Sequence, residues 1–404
     1  MDFRQSTVAD LAEQVSTKQV SSRELTQAAL DRIEALNPQV NAFVAVDGEA
    51  ALSDAAAVDE LVAAGEDPGP LAGIPIGVKD LEEAAGFVTT MGSSTRAAGP
   101  PATGDSILVS RLRAAGCVVV GKTNTPEYGW KGDTSNPTFG ATRNPWELGR
   151  SAGGSSGGSA AALASGMVPL ATGSDGGGSI RIPAAVCGLS GFKPSLGRVA
   201  VGGPHAPNWA DLSVKGPMTL RVRDTALALG SAVGPDPTDL RSLPMPSSDW
   251  LDGVADPRPP RKVAWSPTMG FSPLDDEVRA LCEAAVARLE AAGTEVVEVD
   301  TVWHEDPVVS WFGLTAVATY RTLRDFEGTP EWDGIDEGLR EQMSFGKDHV
   351  AAPDVLVAMD LAHRLNVALV ELFHDVDYLL TPTCAGQTPP PGEFGTIDGH
   401  PEVN

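Results

Sequence analysis

Two runs of glycine and serine constrain this chain more than any other feature. Residues 149–158 read GRSAGGSSGG and residues 173–179 read GSDGGGS. Glycine lets a backbone take positive φ and come close to a ligand. Consecutive N–H groups in such a loop can then converge on one developing anion, as an oxyanion hole needs. Gly176-Gly177-Gly178-Ser179 has that form, and Ser179 precedes Ile180-Arg181-Ile182-Pro183, at a turn into an ordered element. One glycine-rich loop taken alone is more simply a tight turn.

The flanking sequence reads as α/β. Ser21 and Glu24 form an S-x-x-E capping box. Leu25, Ala29, Ile33 and Leu36 recur at helical spacing until Asn37-Pro38, where the helix is expected to end. A further helix is predicted from Asp47 to Ala64. Beyond Pro68-Gly69-Pro70, Ile74 to Val78 predicts a short apolar strand ending at Lys79. Asp105 is expected to cap a helix through Arg113, and Cys117 to Val120 reads as a buried strand. Strand, helix and strand in that order imply a partly parallel sheet. Residues 129–158 show almost no periodicity. Ala160 to Ala164 then reads as a short helix and Met167 to Ala171 as a strand. A helix near 275–292, a strand over Glu295 to Val299, a helix near 354–373 and a strand over Tyr378 to Thr381 complete the pattern. No repeat or interdomain linker is visible.

The charge balance narrows the function. With 54 acidic against 29 basic side chains the net charge is −25, and only 8 of the bases are lysine. Nucleic-acid binding needs Lys/Arg clusters, so it is disfavoured, as are anionic substrates without a local basic pocket. Cys117, Cys187, Cys282 and Cys384 show no C-x-x-C or metal-ligand spacing, which predicts buried thiols, no metal site and a reducing, cytoplasmic compartment. The opening residues form no signal peptide, and no apolar run approaches the roughly 18 residues of a membrane span.

A serine nucleophile needs a base. The six histidines, at 205, 304, 349, 363, 374 and 400, all lie far along the chain from both glycine runs. Lys79 is the better candidate: it ends an apolar stretch in a lysine-poor chain, where desolvation can remove its charge. The shift required is large, roughly three units from about 10.4. A lysine with its head in water, or one paired with Asp80 or Glu82, explains the same residue without chemistry.

From Gly153 to Val199 the chain reads GGSSGGSAAALASGMVPLATGSDGGGSIRIPAAVCGLSGFKPSLGRV. This resembles the defining segment of the amidase signature family. GIPIGVKD at 73–80, GKTNTPEYG at 121–129, FGATRNPW at 139–146 and DYLLTPT at 377–383 are similar to other family blocks. The resemblance implies a single α/β/α domain over 1–404 around a mixed, partly parallel twisted sheet. Within it lie an N-terminal helical layer (1–66), a catalytic core (70–200) and a remainder that shapes the substrate site (201–404), segments 202–215 and 303–350 above all. It implies that Lys79 is the catalytic lysine, Ser155 the bridging serine after a cis Gly154–Ser155 bond, and Ser179 the nucleophile. The N–H groups around Gly176, Gly177 and Gly178 are then the oxyanion hole, and Asp175 with Arg181 a buried brace. Gly129 and Trp130 fall where the family lines its acyl pocket. No cofactor and no metal are implied. Ser174 stands where the family often has threonine, which keeps the hydroxyl. Family members usually continue past a stretch like Gly399 to Asn404, so the C-terminal end is expected to be truncated.

The implied activity is hydrolysis of a neutral carboxamide, anilide or related acyl or carbamate substrate through an acyl-enzyme, with no nucleic-acid or membrane partner and a homodimer as the expected assembly. An amidase subunit of a glutamine-dependent amidotransferase is the alternative. Its glutamine carboxylate would need a cation, for which Arg143 or Arg150 are candidates. A non-catalytic scaffold relative is a third reading, against which the intact Lys79, Ser155 and Ser179 argue. Three motif matches compete. Gly116 to Thr123 satisfies G-x-x-x-x-G-K-[ST], but its interior Cys-Val-Val-Val is a strand and not a flexible turn. Gly153 to Gly157 satisfies the G-x-S-x-G elbow of an α/β-hydrolase esterase, yet Gly149 to Ala152 reads as no strand. Ser190-x-x-Lys193 lacks the companion motifs of a β-lactamase-like enzyme.

Overall fold

The computed structural model describes residues 1–203, 209–393, 395–397 and 400–401. His205 and most of the tail from Gly399 therefore lie outside the described residues. Two compact units emerge from the packing. The first comprises Met1–Ala255 with Gly328–Asp336 and Pro390–Glu393, and the second Asp256–Glu327 with Glu337–Pro389.

The first unit opens with helices α1 (Val8–Ser16), α2 (Ser22–Val40) and α3 (Gly48–Ala64). The capping box is present: Glu24 N–H donates to Ser21 Oγ at 3.1 Å, and Ser21 N–H donates to the Glu24 carboxylate at 2.8 Å. Helix α2 runs past Pro38, which sits inside its last turn. The exit is set instead by Asn37 and Asn41. The Asn37 side chain accepts from the N–H groups of Ala42 and Phe43, at 2.7 and 2.8 Å, and Asn41 takes the left-handed conformation that ends the helix.

A five-stranded sheet follows from strands β1 (Phe43–Val46), β2 (Pro75–Lys79), β3 (Val118–Thr123), β4 (Leu170–Asp175) and β5 (Val214–Thr219), in the order β1-β3-β2-β4-β5. Strands β3, β2 and β4 run parallel, while both edges are antiparallel. The three central strands are wholly buried, which fits the apolar residues that open β2 and β3. Helix α4 (Ile107–Ala114) begins after Ser106, not Asp105. Ser106 Oγ accepts the Val109 N–H, while the Asp105 carboxylate takes the N–H of Ala85 at 2.7 Å. Helix α5 (Gly157–Ala164) is buried on every side, and α6 (Arg181–Cys187) follows β4. Glu147–Ser151 is a strand after all, but a mostly exposed one paired antiparallel with Arg143–Asn144, unlike the core strand of an esterase elbow.

In the second unit a parallel three-stranded sheet places β6 (Lys262–Trp265) between β7 (Glu295–Glu298) and β8 (Tyr378–Leu380). Its helices are Asp276–Ala291, Val308–Leu323, Glu337–His349 and Ala352–Leu372. Cys117 and Cys187 are buried free thiols, whereas Cys282 and Cys384 are half-buried. No described helix is long and apolar enough to cross a membrane.

The phosphate-loop match resolves as strand β3. Its Lys122 is fully buried, 2.9 Å from the Asp80 carboxylate and 3.0 Å from Thr89 Oγ1. Burial pushes the Lys122 amine below its ordinary value while Asp80 pulls it back up. Removing one partner of such a pair leaves an uncompensated buried charge. Lys122→Met is therefore expected to lower stability by about 3–5 kcal/mol in urea denaturation. A loss below about 1 kcal/mol would show that Asp80 finds another partner.

Candidate active site

Lys79 is the last residue of β2, and its side chain has no exposed surface. Its backbone N–H donates to Thr172 Oγ1 on β4 at 2.9 Å, which fixes the strand end. Its Nζ lies among three hydroxyls: Ser155 Oγ at 2.8 Å, Ser156 Oγ at 2.9 Å and Ser174 Oγ at 3.0 Å. The acids beside it in sequence are engaged elsewhere. Asp80 holds Lys122, and Glu82 holds Lys215 at 2.7 Å. Desolvation therefore dominates and lowers the Lys79 pKa from 10.5 to about 7, against the opposing pull of Glu82 and Asp175. A neutral amine has two N–H donors and one lone pair, so three hydroxyl partners require one of them to donate to Nζ.

Ser155 and Ser156 stand where the first glycine run enters α5. The Gly154–Ser155 bond is cis. A Cβ at Gly154 would lie 2.8 Å from backbone atoms of Gly132 and Asp133, so only glycine fits. Asp133 anchors the same turn by accepting the hydroxyls of Ser135 and Ser151, each at 2.5 Å. Ser156 is the N-cap residue of α5, but its side chain caps nothing. Its Oγ serves Lys79 instead, and its N–H donates to the Ser179 carbonyl at 3.1 Å. This N–H ties the two glycine runs together.

The second run forms the turn from β4 into α6 around Asp175, which is fully buried. Asp175 accepts two bonds from Arg181, each 2.8 Å, and the N–H groups of Gly178, Ile180 and Arg181 at 2.7, 3.2 and 3.3 Å. Burial would raise the Asp175 pKa, but the Arg181 guanidinium and these N–H groups outweigh it and hold the carboxyl below its usual value. The Gly178 N–H is thus committed to Asp175 and is no free oxyanion donor. Among the described residues, the N–H groups of Gly177 and Ser179 donate to no protein acceptor.

Ser155, Ser174, Gly176 and Ser179 line one cavity of about 240 Å³. Ser179 is half-buried, and among the described residues its Oγ makes no hydrogen bond to Ser155. Gly129 also lines the cavity, and a Cβ there would meet Leu81 Cδ1 at 2.8 Å and Ser155 Oγ at 3.3 Å. Trp130 is not among the lining residues; its ring lies beneath the Lys131 ammonium, 5.3 Å from the centroid. The aromatic walls come from Tyr128 and Trp209. Tyr128 has φ 53° and is held by Met91 O at 2.7 Å and Thr95 Oγ1 at 2.9 Å, features that no local sequence pattern reveals. Arg143 and Arg150 do not line the cavity. Arg143 donates to the Leu148 carbonyl at 2.9 Å, and Arg150 lies 3.9 Å from Glu147. No described histidine lines it either. Ser190 and Lys193 bond to other partners: Ser190 Oγ accepts from Thr225 Oγ1, and Lys193 Nζ donates to the Pro194 carbonyl.

Comparison with known proteins bears on the family. The amidase family model matches residues 24–404. An acylamidase of Rhodococcus erythropolis is 37% identical over 389 residues, covering 95% of this chain and 80% of that protein. One of the subunits of the glutamyl-tRNA(Gln) amidotransferase of Thiobacillus denitrificans is 41% identical over 318 residues, covering 79% of this chain and 65% of its own length. The crystal structure of a bacterial aryl acylamidase of the amidase signature enzymes superposes with a TM-score of 0.91 at 32% identity, covering 98% of this chain and 84% of the other.

The Asp175 brace has a pH signature. Because its folded-state pKa is depressed, its stabilisation is present above the unfolded carboxylate value of roughly 3.9 and is lost as pH falls through the lower folded value. Asp175→Asn is expected to lower Tm at pH 7, with a deficit that shrinks below about pH 4. Thermal melts across that range check it; a deficit constant with pH would mean that the charge contributes nothing.

Proposed function

This chain belongs to the amidase signature family and is an amide-hydrolysing enzyme, and we propose that it works through an acyl-enzyme on Ser179 with Lys79 and Ser155 as its proton relay. The observation that carries this reading is the Lys79 amine itself, which is in contact with three hydroxyls and, among the described residues, with no carboxylate, Ser155 Oγ lying at 2.8 Å on the cavity side. Neutral Lys79 Nζ takes the Ser155 proton as Ser155 Oγ takes that of Ser179. Ser179 Oγ then bonds to the substrate carbonyl carbon. The second link, from Ser155 to Ser179, closes when substrate fills the cavity, since catalytic hydrogen bonds tighten in the Michaelis complex. The oxyanion is held by the N–H groups of Gly177 and Ser179. Ser155 returns the proton to the leaving nitrogen as the C–N bond breaks, and Lys79 re-protonates Ser155. Water resolves the ester by the same route. Ser156 and Ser174 hold the amine in place.

The substrate class we propose is a neutral carboxamide or anilide with an apolar acyl part. The acylamidase and aryl acylamidase relatives support it, as do the apolar walls of Leu81, Met91 and Trp209. The similarity to an amidotransferase subunit favours a second reading, action on glutamine within a complex. Against it, the two arginines suited to a glutamine carboxylate stay outside the cavity.

Turnover of a simple anilide by the isolated chain tests hydrolase against amidotransferase subunit. Ser179→Ala is expected to abolish covalent labelling by a fluorophosphonate. Lys79→Ala is expected to lower kcat/KM by roughly 10²–10⁴-fold. Since the neutral amine is the active form, kcat/KM of the parent should rise with pH through about 7, and the variant should lack that limb. Equal rates in parent and variant would remove the lysine from the mechanism.

A further inference from the structure

We infer that Glu83 sets the charge preference of the catalytic cavity, favouring amide substrates that carry an ammonium group over those that carry a carboxylate. The inference rests on the amide-hydrolase reading of this cavity and names its substrate class more closely.

Among the described residues, four charged side chains line the cavity: Glu82, Glu83, Asp105 and Lys215. Three of them already have opposite charges beside them. Lys215 Nζ lies 2.7 Å from the Glu82 carboxylate, so the lining's cation is neutralised where it stands. Asp105 lies 3.2 Å from Arg113 Nε, and its other oxygen takes the Ala85 N–H. Glu83 is different. Its carbonyl accepts the Ser106 N–H at 2.9 Å, which fixes its backbone against another lining residue. Its carboxylate makes no hydrogen bond and no ion pair with any described residue. It is exposed, and so stands where bulk water meets the cavity.

The neighbouring lining is apolar, with Leu81, Met91, Ile107, Val201 and Trp209. A charge beside low-dielectric walls has its field focused into the opening. Between water and surface values of the effective dielectric, a unit charge about 4–6 Å from a carboxylate gains or loses roughly ten-fold in binding, by its sign. Among the described residues, an incoming carboxylate meets no free cation in the lining to offset that repulsion. The same field leaves neutral amides unaffected.

The test compares three anilides that share an acyl group and differ only at the para position: tert-butyl, its isostere trimethylammonium, and carboxylate. kcat/KM is measured for the full chain at low and high salt, and for Glu83→Gln and Glu83→Lys. The ammonium substrate is expected to exceed the carboxylate substrate by about ten-fold or more at low salt, with the ratio shrinking at high salt. Glu83→Gln should reduce the ratio several-fold, and Glu83→Lys should invert it. A parent ratio within about two-fold of unity at low salt overturns the inference, as does a ratio that neither substitution moves. Should the variants fail to fold, the salt dependence of the parent ratio decides the matter alone. Hydrolysis of the tert-butyl anilide without charge preference defeats only this inference, whereas no hydrolysis of any congener defeats the amidase reading and this inference with it.

Discussion

The desolvation of one amine, that of Lys79, organises the site. An ammonium without a carboxylate is costly in a protein interior, and the group answers by losing its proton. The surrounding chain makes that possible by pairing the nearby acids with other cations. Asp80 and Glu82 follow Lys79 closely in sequence, yet Lys122 of β3 takes the first and Lys215 of β5 takes the second. Had either carboxylate turned to Lys79, the amine would stay charged and useless as a base. Each of these two ion pairs thus does chemical service at a distance, by keeping a third cation unpaired.

Around that amine, capping gives way to position. Ser156 occupies the N-cap of α5 but its hydroxyl is held by Lys79, so the first N–H groups of the helix go instead to Thr134 Oγ1 at 3.1 Å and the Asn124 carbonyl at 3.2 Å. The other side of the site is held by Asp175. Asp175 gathers five hydrogen-bond donors, two from Arg181 and three from the backbone, and so fixes the turn that carries Ser179. It does this by taking the Gly178 N–H, which narrows the oxyanion donors to fewer groups than the glycine run suggests.

Much of the fold was legible because its signals are local. The capping box at Ser21, the apolar strands ending at Lys79 and Thr123, and both glycine runs are patterns within a few residues. What was missed depended on partners far along the chain. Val214–Thr219 has no strand signature, yet it pairs along the whole of β4 and supplies Lys215 opposite Ser174. Lys262–Trp265 is too short for periodicity to reveal, being a strand of four residues behind a proline-rich stretch. Pro38 looked like a helix stop, but the Asn37 side chain moved the stop onward. Trp130 looked like a wall of the acyl pocket, and the turn at Gly129 gave that place to Tyr128.

The sequence by itself determined which groups are available: a lysine in an apolar strand, serines framed by glycine, and a chain poor in competing cations. It also determined that each glycine run can turn sharply, as the chain does at Gly153 and Gly178, where φ is positive. Only the tertiary structure decided which groups meet. Whether Lys79 pairs with its neighbouring acids, which N–H groups remain free, and which side chains face the cavity all depend on strand register and on contacts such as those across 76 and 133 residues. Charge state follows from burial and from the nearest opposite charge, and both are properties of assembled elements that no single segment carries.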